Sequence, residues 1–128
     1  MSRDCIEQWH EFVSTRDLKI LNNLLSDDVV FYSPVVHTPQ RGKPITAKYL
    51  AAAMDVLVND TWQYVAETRN ERQAVLEFLL EMDGIEVNGV DIISWNEQNL
   101  INDFKVLVRP LKAIKLVHQK MAENLAAG

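Results

Sequence analysis

Cysteine, histidine and glycine are scarce in this chain, and each shortage removes a class of function. One cysteine among 128 residues, Cys5, cannot form an internal disulfide framework, and it has no activating partner nearby in sequence. Three scattered histidines, with no HxH or HxxxH spacing, supply no zinc set. "RGKPIT" has a single glycine, too few for a phosphate-cradling loop, and no GxSxG nucleophile elbow occurs. Action without metal or cofactor is the expectation. Acidic residues outnumber basic ones, the net charge is -5, and no basic patch stands out, which argues against a nucleic-acid partner. No apolar run approaches the roughly 18 residues that span a bilayer. The opening "MSRDCIEQWHEF" lacks the apolar block of a signal peptide, so the cytoplasm is the expected location.

What remains is a core-forming sequence. Hydrophobic residues make up 48% of it, enough for one globular domain over residues 1–128. Ile6, Trp9, Phe12 and Val13 recur at helical spacing, with Ser2 as a cap. Thr15 caps a second helix whose stripe is Leu18, Leu21, Leu24 and Leu25, ended by Asp27-Asp28. "VVFYS" is β-branched and aromatic and reads as a strand. Pro34 and Pro39 bracket a loop, and Pro44 suits the first turn of a third helix.

After Asn59-Asp60 the period changes to two. "TWQYVAETR" is one strand. In "QAVLEFLLEM", Val75, Glu77, Leu79 and Glu81 share one face, and Leu76, Phe78, Leu80 and Met82 the other. Asp83-Gly84 is a turn. "IEVNGVDIISWNE" reads as one long strand bent at Asn88-Gly89. "LINDFKVLV" is the last strand, and Pro110 starts a closing helix with Leu111, Ile114, Val117, His118 and Met121 on or near one face. Consecutive strands pair antiparallel, and helices gathered before them must cover one face. The class is α+β. A curved antiparallel sheet wraps the N-terminal helices and leaves a cone open at one end.

Three stretches resemble a known family. "DDVVFYSPVVHTPQRGKPIT", "GVDIISWNEQNLI" and "DFKVLVRPLKAI" are similar to segments of the nuclear transport factor 2-like superfamily, which includes ketosteroid isomerase and the SnoaL-like polyketide cyclases. The resemblance covers nearly the whole chain. It implies the cone fold, and it implies little about chemistry, because this scaffold carries many functions. The isomerase works with an aspartate base and an oxyanion hole built from a tyrosine and a protonated aspartic acid. Carried over by position, the base falls on Ser33, the tyrosine on Trp9 and the acid on Asp91. Serine without an activating partner cannot abstract a carbon-bound proton near neutral pH. Trp9 donates one hydrogen bond but is no acid.

Asp91 is the leading catalytic candidate, since an aspartate among Val90, Ile92 and Ile93 must be paired or neutral if it is buried. His37, between the two loop prolines, is the candidate base through a pairing with Asp91. Trp9, Ser33, Phe78 and Trp95 are expected to line a cavity for a small apolar molecule. The resemblance to the cyclases adds Asp103, on a face shared with Lys105. Val75, Leu79 and Val106 on the outer sheet face need cover, which points to a homodimer through the sheet. Two functions stay open: a cofactor-free isomerase, cyclase or hydrolase, and a non-catalytic ligand-binding or assembly domain.

Overall fold

Two periodicities divide the chain. The computed structural model describes residues 4–127. Helices α1 (Cys5–Thr15) and α2 (Leu18–Leu24) come first, followed by β1 (Leu25–Tyr32), the short β2 (Gln40–Arg41) and α3 (Lys43–Leu57). Four long strands follow, β3 (Gln63–Arg69), β4 (Gln73–Met82), β5 (Ile85–Trp95) and β6 (Ile101–Arg109), and α4 (Leu111–Ala127) closes the chain.

The cap of α1 is Asp4, whose carboxylate accepts from the Glu7 N–H. The expected cap, Ser2, lies outside the described residues. Asp17 rather than Thr15 caps α2, accepting from the Lys19 N–H. Asp27-Asp28 does not end α2, because the chain is already extended from Leu25 and both aspartates stand on the exposed part of β1. The α1 stripe forms as the spacing predicts, but the α2 stripe forms only in part, since Leu18 is exposed and Leu25 is buried from β1. Ile6, Trp9, Phe12 and Val13 of α1 are buried, as are Leu21 and Leu24 of α2.

The six strands make one curved, unclosed sheet in the order β2-β1-β6-β5-β4-β3. It is mixed rather than wholly antiparallel, because β1 lies parallel to β6. These strands are far apart in sequence, so the chain can return in either sense. The β4, β5 and β6 neighbours pair antiparallel, as consecutive strands do. On β4 the alternation is complete: Leu76, Phe78 and Leu80 are buried on the inner face, while Val75, Glu77 and Leu79 look outward and are only partly covered. No helix among the described residues is long and apolar enough to cross a membrane.

The inside of the curve has two ends of different character. At one end Trp9 packs edge-on against Phe104 at 4.8 Å, and Trp62 stacks on Phe78 at 4.8 Å. At the other end α4 lies against α3 and across β5 and β6, over an aliphatic space. Gly89 controls the closeness of the strands between them. It sits in β5 opposite Phe78 and Val108. A methyl group there would meet the Leu107 carbonyl oxygen at 2.5 Å and run into the Phe78 ring. Gly89→Ala is expected to destabilise the fold by about 2 kcal/mol, the usual order for overpacking a close-packed interior. Urea denaturation of wild type and variant checks this.

Candidate functional site

The aliphatic end of the cone holds a small cavity of about 20 Å³, space for roughly one water molecule. Its walls come from five elements, Phe31 of β1 and Asp91 of β5 among them. Leu50, Ala53, Met54 and Leu57 present the inner stripe of α3, Val106 and Val108 come from β6, and Val117 and Met121 from α4. The rim is Ser33-Pro34-Val35, just past the end of β1. Ser33 turns the chain there by accepting the Val35 N–H at 3.1 Å. Among the described residues Asp91 is the one titratable side chain in this apolar lining.

Asp91 is placed by strand parity. Val87, Gly89, Asp91 and Ile93 alternate onto the inner face of β5, and Asp91 is 1% exposed. Burial pushes its carboxyl up to about 7, opposed by a hydrogen bond from Tyr64. The Tyr64 hydroxyl donates to Asp91 Oδ2 at 2.5 Å, and the Trp9 indole N–H donates to Tyr64 Oη at 2.9 Å. Burial and the facing carboxylate in turn hold the Tyr64 phenol well above its ordinary range. The network spans α1, β3 and β5. Register explains how it closes: Tyr64 stands opposite Phe78, Phe78 opposite Gly89, and Asp91 is the next inward residue after Gly89. Concave curvature tips the two side chains toward each other across β4.

The other residues singled out in the sequence lie elsewhere. Trp9 is fully buried, but behind Tyr64 rather than on the cavity wall. Ser33 lines the cavity. Phe78 is fully buried in the aromatic end. Trp95, at the end of β5, is capped by the Arg69 guanidinium 5.8 Å from its ring. His37 does not join Asp91. It lies exposed in a groove with Tyr32, Lys105 and Leu107, because the turn at Ser33-Pro34 carries the following loop toward the outer side of β6. Asp103 faces outward too. The pairing of β5 with β6 slips between Ser94 and Trp95, so Ile101 and Phe104 are both buried and the inward set continues as Val106 and Val108. Asp103, Lys105 and Leu107 therefore share the outer face, and Val106 does not belong to it. Burial raises the Asp103 carboxyl, with Lys105 and Tyr32 opposing. No group of three or more His, Cys, Asp or Glu side chains converges to hold a metal among the described residues. Cys5 is buried, and burial pushes its thiol up to about 12, where it is inert.

The sequence pattern did not single out Tyr64 as a site residue. The available signal was the pairing requirement itself. A buried carboxyl needs a donor, and a buried tyrosine hydroxyl needs an acceptor.

With this geometry, the comparisons with solved structures gain meaning. A steroid delta-isomerase from Pseudomonas aeruginosa is 31% identical, over 96% of this chain and 90% of that one, with a TM-score of 0.90. An uncharacterized protein with a cystatin-like fold from Silicibacter pomeroyi is 28% identical over 93% and 83% of the two chains, with a TM-score of 0.85. An NTF2-like protein of unknown function from Mesorhizobium loti shares the fold at 14% identity and a TM-score of 0.71, over 83% and 88%. No protein-family model and no curated protein matches the sequence. The chain belongs to the nuclear transport factor 2-like superfamily.

The raised Asp91 carboxyl has a consequence for stability. A carboxyl whose folded-state value lies above its unfolded value of about 3.9 binds its proton more tightly when folded. Its contribution is complete below pH 4 and is lost as pH rises through about 7. The stability difference between wild type and Asp91→Asn, taken from urea melts at pH 5 and pH 8, is expected to shift in favour of the variant at pH 8. An equal difference at both pH values would mean that Asp91 is not held neutral.

Proposed function

We propose that this chain binds a small apolar molecule in the aliphatic end of its cone, holding one polar atom of the ligand against Asp91. The observation that carries this reading is a fully buried carboxyl, raised to about 7, on the wall of an otherwise apolar cavity. Binding pockets of this kind are mostly apolar, with a few placed polar groups that fix orientation. The cavity is tight, so a ligand must part α4 from the Ser33–Val35 rim. Met54 and Met121 are unbranched and polarizable, and they adapt to such a change at low cost.

The steroid delta-isomerase relative suggests ring ketones as probes. It does not transfer its reaction. Moving a double bond requires a base for a carbon-bound proton, and the position that supplies it is Ser33, whose hydroxyl is engaged with the Val35 N–H. Asp91 alone can hold or protonate a ligand oxygen, and no second titratable side chain lines the cavity with it. The reading is therefore an acid-anchored binding pocket. Isothermal titration with a steroid ketone is expected to show binding near pH 5.5 that weakens about tenfold per pH unit above 7, as the carboxyl ionises. Met121→Ala should enlarge the cavity and tighten binding severalfold, and no variant with Ser33 intact should isomerise the ring double bond. Binding that is indifferent to pH from 5.5 to 8.5 would remove Asp91 from the site.

The outer sheet face supports a second assignment, a homodimer formed through the sheet. Val75, Leu79, Val90 and Ile92 are only partly covered, and Leu107 is 51% exposed. Such a contiguous face favours self-association. Equilibrium sedimentation is expected to give a dimer at micromolar concentration for wild type and a monomer for Leu107→Glu. A monomeric wild type would refute the assignment.

A further inference from the structure

The hydrogen-bond chain behind Asp91 has a direction, and the direction selects the ligand. An indole nitrogen only donates. The Trp9 N–H therefore occupies a lone pair of the Tyr64 oxygen, and Tyr64 cannot pass its own proton back to Trp9. Asp91 Oδ2 is its other partner, 2.5 Å away, and no third acceptor stands at the Tyr64 hydroxyl among the described residues. Suppose the bond ran the other way, from Asp91 to Tyr64. The phenol oxygen would then receive two protons while its own proton, buried beside them, found no acceptor. Leaving a buried donor unsatisfied costs on the order of 1–3 kcal/mol. Tyr64 therefore donates, and Oδ2 is the carbonyl-type oxygen of the neutral carboxyl. An oxygen that already carries a proton is the poorer acceptor, so the acid proton sits on Oδ1.

We infer that Tyr64, fixed by Trp9, is a positioning residue that turns the Asp91 O–H toward the cavity, so that the site takes ligands offering a neutral acceptor oxygen, such as a ketone or an ether, and not ligands offering only a donor. This rests on Asp91 being the group that meets the ligand. It goes further by assigning which oxygen carries the proton and which ligand chemistry follows. Trp9 has a role here that its distance from the cavity wall would not suggest: it is fully buried and makes its indole hydrogen bond to Tyr64. The titratable groups around the relay are few. Tyr64 faces Asp91 from β3, and His10 of α1 stands edge-on to the Tyr64 ring at 5.3 Å, with its Nε2 2.8 Å from Glu67 Oε1.

The test is a sign. A hydrogen bond donated to a carboxylate stabilises the charged form, whereas one accepted from a carboxylic acid stabilises the neutral form. In the ligand-free protein, the Asp91 carboxyl carbon is titrated by NMR in wild type and Tyr64→Phe. The expected result is an upward shift of the Asp91 midpoint in the variant. A downward shift, or none, overturns the proposal. His10→Gln, titrated alongside, removes His10 as the source of the shift.

Asp91→Asn then reads the orientation with Tyr64 left in place. The amide oxygen should take the Tyr64 O–H and leave the amide N–H₂ facing the cavity. Binding of a steroid ketone by the variant is expected to weaken relative to wild type at pH 5.5, to lose its pH dependence between pH 5.5 and 8.5, and still to shift the ketone's carbonyl stretch to lower frequency. Adding Tyr64→Phe should remove that shift and weaken binding about tenfold. Ketone binding by Asp91→Asn that keeps the wild-type pH dependence, or that leaves the carbonyl stretch unshifted, overturns the proposal. If wild type binds neither the ketone nor its alcohol counterpart, the pocket reading fails, and the NMR titration still decides the direction of the relay.

Discussion

A carboxyl group removed from water is the constraint around which this structure is organised. Isolated and charged, it would cost more than a small domain has to spare. Two responses are available, neutralisation and hydrogen bonding, and Asp91 uses both. Burial raises its carboxyl to about 7, and Tyr64 donates to one of its oxygens. The two responses oppose each other, since the tyrosine bond favours the charged form while burial disfavours it. The balance leaves a group near the midpoint of its titration at neutral pH. An unmatched acid buried only for packing would be replaced by an apolar residue of similar volume at little cost.

The rest of the fold supplies the conditions for that balance. Tyr64 reaches Asp91 because the sheet is concave, and the sheet closes tightly because Gly89 lets Phe78 and the Leu107 carbonyl approach where a side chain would stand. Trp9 backs Tyr64 because the α1 stripe is pressed into the aromatic end of the cone, where Trp9 meets Phe104 of β6. The aromatic end is thus the rigid support for the relay. The aliphatic end, with two methionines and a rim of loop, has the adaptable side chains. Rigid support on one side of the carboxyl and adaptable packing on the other suits the binding role proposed for it.

Local pattern made much of this legible, and its failures have a common cause. The α1 stripe, the alternation of β4 and the charged residue within "GVDIISW" all follow from neighbours a few positions apart. The parallel pairing of β1 with β6 does not, because nothing local states how a distant strand returns. Asp103 entered through the resemblance to the cyclases, and its shared face with Lys105 holds. That this face is the outer one follows from the slipped pairing of β6 with β5, which buries both Ile101 and Phe104 and which no local pattern states. His37 was misplaced because the direction of a proline-bounded loop is set by the turn at Ser33, not by periodicity. Tyr64 and Asp91, 27 positions apart, meet only through the curvature of three strands. The acid itself was readable from one strand; its partner required the sheet.

Family membership sharpens the role of the two substitutions rather than settling the chemistry. With serine where the isomerase places its base and tryptophan where it places a tyrosine, the position on the first helix still feeds a hydrogen bond toward the acid, but through Tyr64 as an intermediary. A phenol that touches the ligand directly adds a second donor to the site. A tryptophan one step removed adds none; it fixes the sense of the bond that Tyr64 makes. On the proposed reading the cone presents one oriented donor instead of two, and Ser33 stands where the resemblance to the isomerase puts the base. The two substitutions are coherent with that reading, since a pocket proposed to bind needs orientation of its ligand and has no use for proton abstraction.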